Sequence, residues 1–494
     1  MAEHATVESD ETRPLVTRPT TPSNSNHTNG NRSHWRLVLA IAALDLILNA
    51  TTQLTVVPSL TILQDIVCRQ HYAHVQLDPS VHFEDRCKVE PVQSEIAYIN
   101  AWRDSLEILP ALFLAVPYGA LADRIGRKFV FLLAVFGCLM SDVWIRVVYW
   151  FSDVFPTRIV WLSGVWTMIG GGGATLTSIG YVLIADACPP EDRTTAFSYV
   201  SAGLIISRLV LIPVGGTFKD PWVPMFISSA LMVAGFFLAT VFVPETRTTR
   251  DESPPSDSEE DDTPKLTLRD HLHNLASSTL NLTTWLTSNA RIIPLLLTFF
   301  LFQFGEAPNN TLLLQYASKR LGWTLAESSY LLSLSAATHL TTLSLLIPAL
   351  SSFLLRYLRL EEIAKDQRLA QVSAFFLVTG TAVVALTSSP WLFTAAMVLA
   401  SLGLAFAVPA RSVVTTMVKK EHMALLYTGI SVLTYGGVLA GGPVSAALFK
   451  VGMRVGGGWE GLPFVVATGC FVGCLGGVLV TWREKDHVGG DDLE

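Results

Sequence analysis

Hydrophobic positions in this chain come in long unbroken blocks. Apolar stretches fall near residues 35–61, 96–121, 129–151, 159–186, 195–217, 222–243, 292–316, 326–351, 370–388, 391–417, 423–449 and 460–482, each close to the roughly twenty residues a helix needs to cross a bilayer. The blocks predict twelve transmembrane helices in two sets of six. Between the sets lies a polar segment, 245–290, whose core VPETRTTRDESPPSDSEEDD is too acidic and Pro-rich to fold alone. Its later part, LTLRDHLHNLASSTLNLTTWL, is read as an amphipathic helix on the membrane surface. The expected layout is a disordered tail 1–34, a first bundle 35–244, a linker 245–290, a second bundle 291–482 and a tail 483–494. The first apolar run is too long for a signal-peptide core, so the first helix is expected to stay.

Basic residues in the loops set the orientation, because Lys and Arg are retained on the cytoplasmic face. One side of the predicted topology carries 21 of them and the other nine, with four inside helices. Both termini and the linker are therefore expected in the cytoplasm, and the 62–95 loop outside.

Composition narrows the class further. Only 15% of the 494 residues are charged, against roughly 25% in ordinary soluble proteins. This excludes a disordered chain, a nucleic-acid binder and a disulfide scaffold. The net charge of −7 says little about partners, since seven acids sit in the short run Asp251 to Asp262. Of six cysteines, Cys138, Cys470 and Cys474 lie in apolar runs and are read as packing residues. Cys68 and Cys87 share one polar loop, where a disulfide is open if the loop is extracytoplasmic.

The most specific motif is Gly119-Ala-Leu-Ala-Asp123-Arg124-Ile-Gly126-Arg127-Lys128, between the second and third helices. Gly119 suits close helix approach and Gly126 a sharp turn, while Asp123 and its basic neighbours form a charge cluster at helix ends. The motif resembles the signature of the major facilitator superfamily, as does the six-and-six arrangement. The resemblance implies an all-α membrane protein whose two six-helix bundles rock around a central site by alternating access. It also implies that Asp123 and Arg127 latch the bundles on the cytoplasmic side while the cavity faces out. Pro190-Glu-Asp-Arg193 and Pro244-Glu-Thr-Arg247 are weaker cues to the same family, and Leu354-Leu-Arg-Tyr-Leu-Arg359 lacks the Gly and Asp of a second latch. Cys68-Arg69-Gln70-His71-Tyr72 resembles an outer-loop element of fungal members associated with natural-product export. Two departures count against efflux and assigned proton coupling: Ile212-Pro213-Val214-Gly215-Gly216 lacks the Gly before Pro of family antiporters, and Trp166-Thr-Met-Ile-Gly170 lacks their Arg.

Ionisable residues inside membrane segments are costly and mark candidate sites. Asp45, Asn49 and Gln53 form one stripe on the first helix, facing either the cavity or a neighbouring helix. Arg103 and Glu107 are four apart on the second, with Asp104 between them. They neutralise each other or leave Glu107, roughly 18 Å from Gly119, to carry a proton. Asp142 and Arg146 repeat this spacing and read as a structural pair. The seventh helix reads Gln303-Phe-Gly-Glu306-Ala-Pro-Asn309-Asn310. A carboxylate beside helix-breaking Gly and Pro makes Glu306 the first candidate for proton coupling and Asn309 a cavity residue, the alternative being a capped helix end. Arg208 has no acid within four residues and needs a partner on another helix or an anionic substrate. Arg411 and His339 are further candidates. Glycines 170–173, and Gly436, Gly437, Gly441 and Gly442, are expected to allow close contact and bending.

The expected function is secondary active transport of a small organic molecule, as proton-coupled efflux of a metabolite or toxin; the alternative is proton-coupled uptake of an anionic nutrient neutralised by Arg208. Trp35, Trp102, Trp161, Trp166 and Phe304 are the aromatic residues expected along an apolar cavity. No nucleotide-binding Gly-x-x-x-x-Gly-Lys-Ser/Thr element and no metal-type cluster occurs in the sequence, so neither an enzyme nor a cofactor beyond the proton gradient is expected. The partners expected are substrate and lipid, with no nucleic acid, for a monomer in the plasma membrane in preference to the vacuolar one.

Overall fold

A computed structural model describes residues 27–73, 86–187, 193–243, 292–418 and 423–491. Among them the chain forms twelve membrane-crossing elements, several built from consecutive helical pieces. In the first half these are α1 (His27–Leu54 and Val56–Tyr72), α2 (Glu90–Ile125), α3 (Arg127–Trp150), α4 (Ser163–Thr167 and Gly172–Ala187), α5 (Arg193–Thr217) and α6 (Trp222–Phe242). In the second they are α7 (Ile293–Thr311 and Leu313–Leu321), α8 (Leu325–Thr341 and Ile347–Arg356), α9 (Glu362–Leu386), α10 (Pro390–Gly403 and Ala407–Thr416), α11 (Met423–Val455) and α12 (Leu462–Asp491). The linker, residues 190–192 and 244–247 of the two weaker cues, and Cys188 lie outside the described residues.

Local chemistry explains the joints. Gly126 takes φ +122°, a left-handed conformation that favours glycine, and this separates α2 from α3. A capping box, in which Thr324 Oγ1 accepts from the Glu327 backbone N–H and the Glu327 carboxylate accepts from that of Thr324, starts α8. Pro390 in the first turn starts α10. Helix α12 runs on to Asp491, past residue 482 where the apolar block ends.

An even number of crossings puts both chain ends on one face, the termini face. The opposite face carries a disulfide between Cys68 and Cys87, whose Cα atoms are 5.4 Å apart. The halves meet where α2 packs on α11 and α5 on α8.

The buried cores reveal which mouth is shut. Toward the disulfide face, one continuous core joins both halves, from Leu63, Ile66 and Ile96 to Leu313, Tyr316 and Phe449. Toward the termini face the core divides in two. One part is confined to the first half, around Leu44, Val130 and Leu183, and the other to the second, around Phe299, Val413 and Leu426. Polar bonds follow the same division. Arg454 Nε donates to Glu90 Oε1 at 3.1 Å and Lys88 Nζ to the Trp323 carbonyl at 3.4 Å, both near the disulfide face. Deeper in the membrane, Ser105 Oγ donates to the Leu439 carbonyl at 3.1 Å. The inner segments of α4, α8 and α10 pack mainly within their own halves. Among the described residues, the halves share one core at the disulfide face and none at the termini face.

Candidate functional site

Three helices are interrupted beside the site, α1 at Thr55, α7 at Leu312 and α4 at its glycines. Gly170, Gly171 and Gly172 all have positive φ, +83°, +80° and +70°, so the chain makes a left-handed turn that L side chains rarely adopt. A Cβ on Gly170 would overlap the Ala134 backbone nitrogen on α3, and one on Gly164 would lie 2.7 Å from the Leu106 carbonyl on α2. Glycine thus permits both the turn and the tight seat of α4 against α2 and α3. The break brings Thr167 and Gly173 to the wall of a central cavity of about 570 Å³. Irregular backbone at membrane depth is found where it borders such a cavity or is buried in protein.

That cavity is polar and unevenly charged. From α1 it takes the hydroxyls of Thr51, Thr52, Thr55 and Ser59, from α3 Cys138 and Ser141, and from α11 Tyr435. Its charged lining residues are Arg103, Asp104, Glu107 and Asp142, three carboxylates against one guanidinium. Arg103 does not pair with Glu107. It donates to Asp104 Oδ1 from Nε at 3.1 Å and Nη2 at 2.8 Å, while Glu107 Oε1 accepts from Ser163 Oγ of α4 at 2.8 Å. The four-residue spacing made the Arg103–Glu107 bridge available, but the closer carboxylate took the guanidinium. Asp142 and Arg146 do pair, and Arg146 also donates to the Met225 carbonyl at 3.0 and 3.1 Å and to Ser228 Oγ at 3.0 Å. This bridge pins α3 to α6.

Helix α7 corrects the reading of its motif. Gly305 and Pro308 do not break it; the helix runs through Pro308 to Thr311 and is interrupted at Leu312. Gly305 instead makes room for α12, since a Cβ there would sit 2.9 Å from the Phe471 ring. Glu306 lies six residues before the break, more than one and a half turns, and faces a small chamber of about 30 Å³ inside the second half, walled by α7, α9, α10 and α12. Room for a single water is its measure. Asn309 borders both chambers, and its Nδ2 donates to Glu306 Oε1 at 3.2 Å. Glu306 is therefore not a capped helix end; it is set behind the cavity wall, with Asn309 between.

Other expected site residues fall elsewhere. Arg208 Nη2 donates to Asn310 Oδ1 of α7 at 3.2 Å, joining the halves, and Arg208 is absent from the cavity lining. Asn49 Nδ2 donates to Asp45 Oδ2 and to the Asp45 carbonyl, each at 2.9 Å; the pair satisfies itself on α1 and the cavity takes the threonine face instead. Arg411 is exposed on α10 and does not line the cavity. In the signature loop Gly126 makes the expected turn, Arg124 is exposed, and Arg127 and Lys128 open α3. The side chain of Asp123 is outside the described residues. Gly119 has no atom within 4 Å of its Cβ position, so the close approach expected there is absent from this state. The aromatic wall also differs: Trp161 donates to the Ile99 carbonyl at 3.1 Å, Phe304 stacks on Phe300, and Trp102 and Trp166 are not in the lining. The side chain of Trp35 is not described.

Sequence reasoning missed the threonine face, Ser141 and Tyr435. Thr52, Thr55 and Ser59 recur at three and four residues, one helical face of hydroxyls in an apolar run, which was a usable signal.

Twelve helices in two halves around a polar chamber are the architecture of a membrane transporter. Comparison with known proteins agrees. Residues 97–360 match the family model described as Major Facilitator Superfamily. The chain is 36% identical to "Efflux pump ustT" of Aspergillus flavus, over 89% of this chain and 87% of that one. It is 28% identical to "MFS efflux pump atnC" of Emericella nidulans, over 97% and 94%. Among solved structures it resembles the nucleoside transporter NupG, with TM-score 0.58, 15% identity, and 90% and 98% of the two chains covered. The chain belongs to the Major Facilitator Superfamily.

Proposed function

We propose that this transporter exports a small neutral or cationic organic metabolite, driven by protons, with its termini face in the cytoplasm. The observation that carries the reading is the charge of the central cavity: Arg103 pairs with Asp104 and Arg146 with Asp142, which leaves Glu107, bonded to Ser163, as the lining carboxylate without an ion pair among the described residues. An acidic chamber repels an anion, and Arg208 does not line it, which argues against uptake of an anionic nutrient. Relatives named as efflux pumps support the direction. The excess of Lys and Arg in loops on the termini face supports the orientation. The plasma membrane remains the preferred location.

In the proposed cycle the substrate enters the cavity from the termini face, where the cores are parted. Asp123 and Arg127 then latch that face as the disulfide face opens. Glu306 takes up and releases the proton itself, with Asn309 orienting its carboxylate at the wall between the two chambers. A pH unit supplies about 1.4 kcal/mol and 100 mV about 2.3 kcal/mol per charge, enough to concentrate a solute without ATP.

Deleting the gene is expected to move one metabolite from the medium into the cells, read by comparing metabolite profiles of the two fractions. Failure to grow on a single nutrient, with no retained metabolite, would establish uptake instead. Once that cargo is known, Glu306→Gln should abolish the pH dependence of its flux while cargo-for-cargo exchange continues. Unchanged pH dependence removes Glu306 from the coupling role.

A further inference from the structure

Five threonines line the central cavity, and each has already spent its hydrogen. Thr51 Oγ1 donates to the Leu48 carbonyl at 2.7 Å, Thr52 to that of Asn49 at 2.8 Å and Thr55 to that of Thr52 at 3.0 Å, all within α1. On α4 Thr167 donates to the Gly164 carbonyl at 2.8 Å, and on α7 Thr311 to that of Ala307 at 2.8 Å. A carbonyl oxygen carries no hydrogen, so the direction of these bonds is fixed. A hydroxyl has one hydrogen and two lone pairs, and these five can offer an occupant only the lone pairs.

Glu107 adds a charged acceptor to the same wall. Its Oε1 takes the bond from Ser163, while Oε2 has no hydrogen-bond or ion-pair partner among the described residues. The Nε and Nη2 donors of Arg103 both go to Asp104, and the Arg146 guanidinium goes to Asp142. Glu107 stands sixteen residues from Asp123 and seventeen from Glu90, about 24 and 26 Å along α2, so charges at either end of that helix are remote from it. The chamber therefore suits a guest that carries positive charge and several hydrogens to donate.

We infer that the cargo is a primary amine carried as its ammonium, with the nitrogen at Glu107 and its three N–H groups shared between that carboxylate and neighbouring acceptor oxygens; this rests on the proposed export of a cargo held in the central chamber. Charge alone does not satisfy such a wall. A quaternary ammonium has the charge and no N–H, and an N-acyl amine has an N–H and no charge. Ser163 holds one oxygen of Glu107, so the single open oxygen fits an ammonium better than a two-pronged guanidinium.

Isothermal titration of the full-length protein in dodecyl maltoside tests the assignment with three probes of one shape: phenethylamine, N-acetylphenethylamine and phenethyltrimethylammonium. Saturable binding of phenethylamine at one site is expected, with each of the other two weaker by about tenfold or more, the scale of a hydrogen bond to a charged group. Glu107→Gln keeps an acceptor for Ser163; it should weaken phenethylamine about tenfold or more and leave the N-acetyl probe unchanged. Glu107→Asp should restore part of the preference for the amine. Gel-filtration profiles matching the parent would show that both variants fold. Titration in detergent registers neither direction nor driving ion, so its failure would leave export standing. A metabolite retained by the deletion strain that lacks a primary amine would also sink the assignment and uphold export, while amine binding with no retained metabolite would do the reverse. Absence of saturable phenethylamine binding in the parent, equal binding of the three probes, or an amine affinity that Glu107→Gln leaves unchanged would overturn it.

Discussion

Gly170→Ala is expected to abolish transport and to leave little folded protein in the membrane. Two independent costs meet at this residue. An alanine held at φ +83° pays roughly 1–2 kcal/mol for the left-handed conformation. Its Cβ would also overlap the backbone nitrogen and the Cα of Ala134. No side-chain rotation relieves contact with backbone, so α3 and α4 must separate, adding about 1–3 kcal/mol of overpacking. Gly173→Ala is the internal control, since no atom lies within 4 Å of its Cβ position and its φ is not positive. It should express and fold like the parent. Fluorescence-detected gel filtration after a heating series measures both, and equal midpoints for the two variants would refute the part assigned to the α4 break.

Arg146→Met should destabilise the first half by about 3–5 kcal/mol, the range for removing one partner of a buried ion pair. Arg146 is 7% exposed and holds α3 to α6 through Asp142, the Met225 carbonyl and Ser228. Methionine keeps much of the length of the side chain and removes every one of these donors. The carboxylate of Asp142 is left on the cavity wall without its cation. Adding Asp142→Asn should recover a substantial part of the loss, because it removes the uncompensated charge. A double-mutant cycle on thermal midpoints reads this coupling, and additive losses in the double variant would show that the pair does not act as a unit.

Much of the architecture was legible because lipid imposes a simple rule on sequence: each crossing must be a long apolar run, and loops must carry the charge. The twelve blocks followed from that rule, while the Gly126 turn was legible from glycine's backbone freedom in the signature motif, and one shared polar loop left the Cys68–Cys87 bridge open. The finer geometry depended on choices between neighbours that spacing does not rank. Arg103 had two carboxylates within reach and took Asp104. The α7 motif held a Gly and a Pro, yet tight packing on α11 and α12 kept that helix whole through Pro308, and the interruption came at Leu312. The glycines of α4 looked like a packing surface, and three of the four proved to form a left-handed turn at the cavity. Gly119 shows a different limit. A sequence serves every state of a moving protein, and a glycine that suits a close approach in one state faces open space in another.

The central claim is that the halves tilt around the polar chamber, closing one face as the other opens. Cys138, which lines that chamber, is a native reporter once Cys188, Cys470 and Cys474 are replaced by serine. Its reaction with a membrane-impermeant thiol reagent can be timed from each face, using right-side-out and inside-out vesicles. The account predicts reaction from the termini face in the resting protein. It also predicts a shift toward the disulfide face when Glu90→Ala and Lys88→Ala remove the bonds to Arg454 and Trp323 that join the halves there. Access from the disulfide face alone in the resting protein, or access from one face that the paired substitution leaves unchanged, would contradict it.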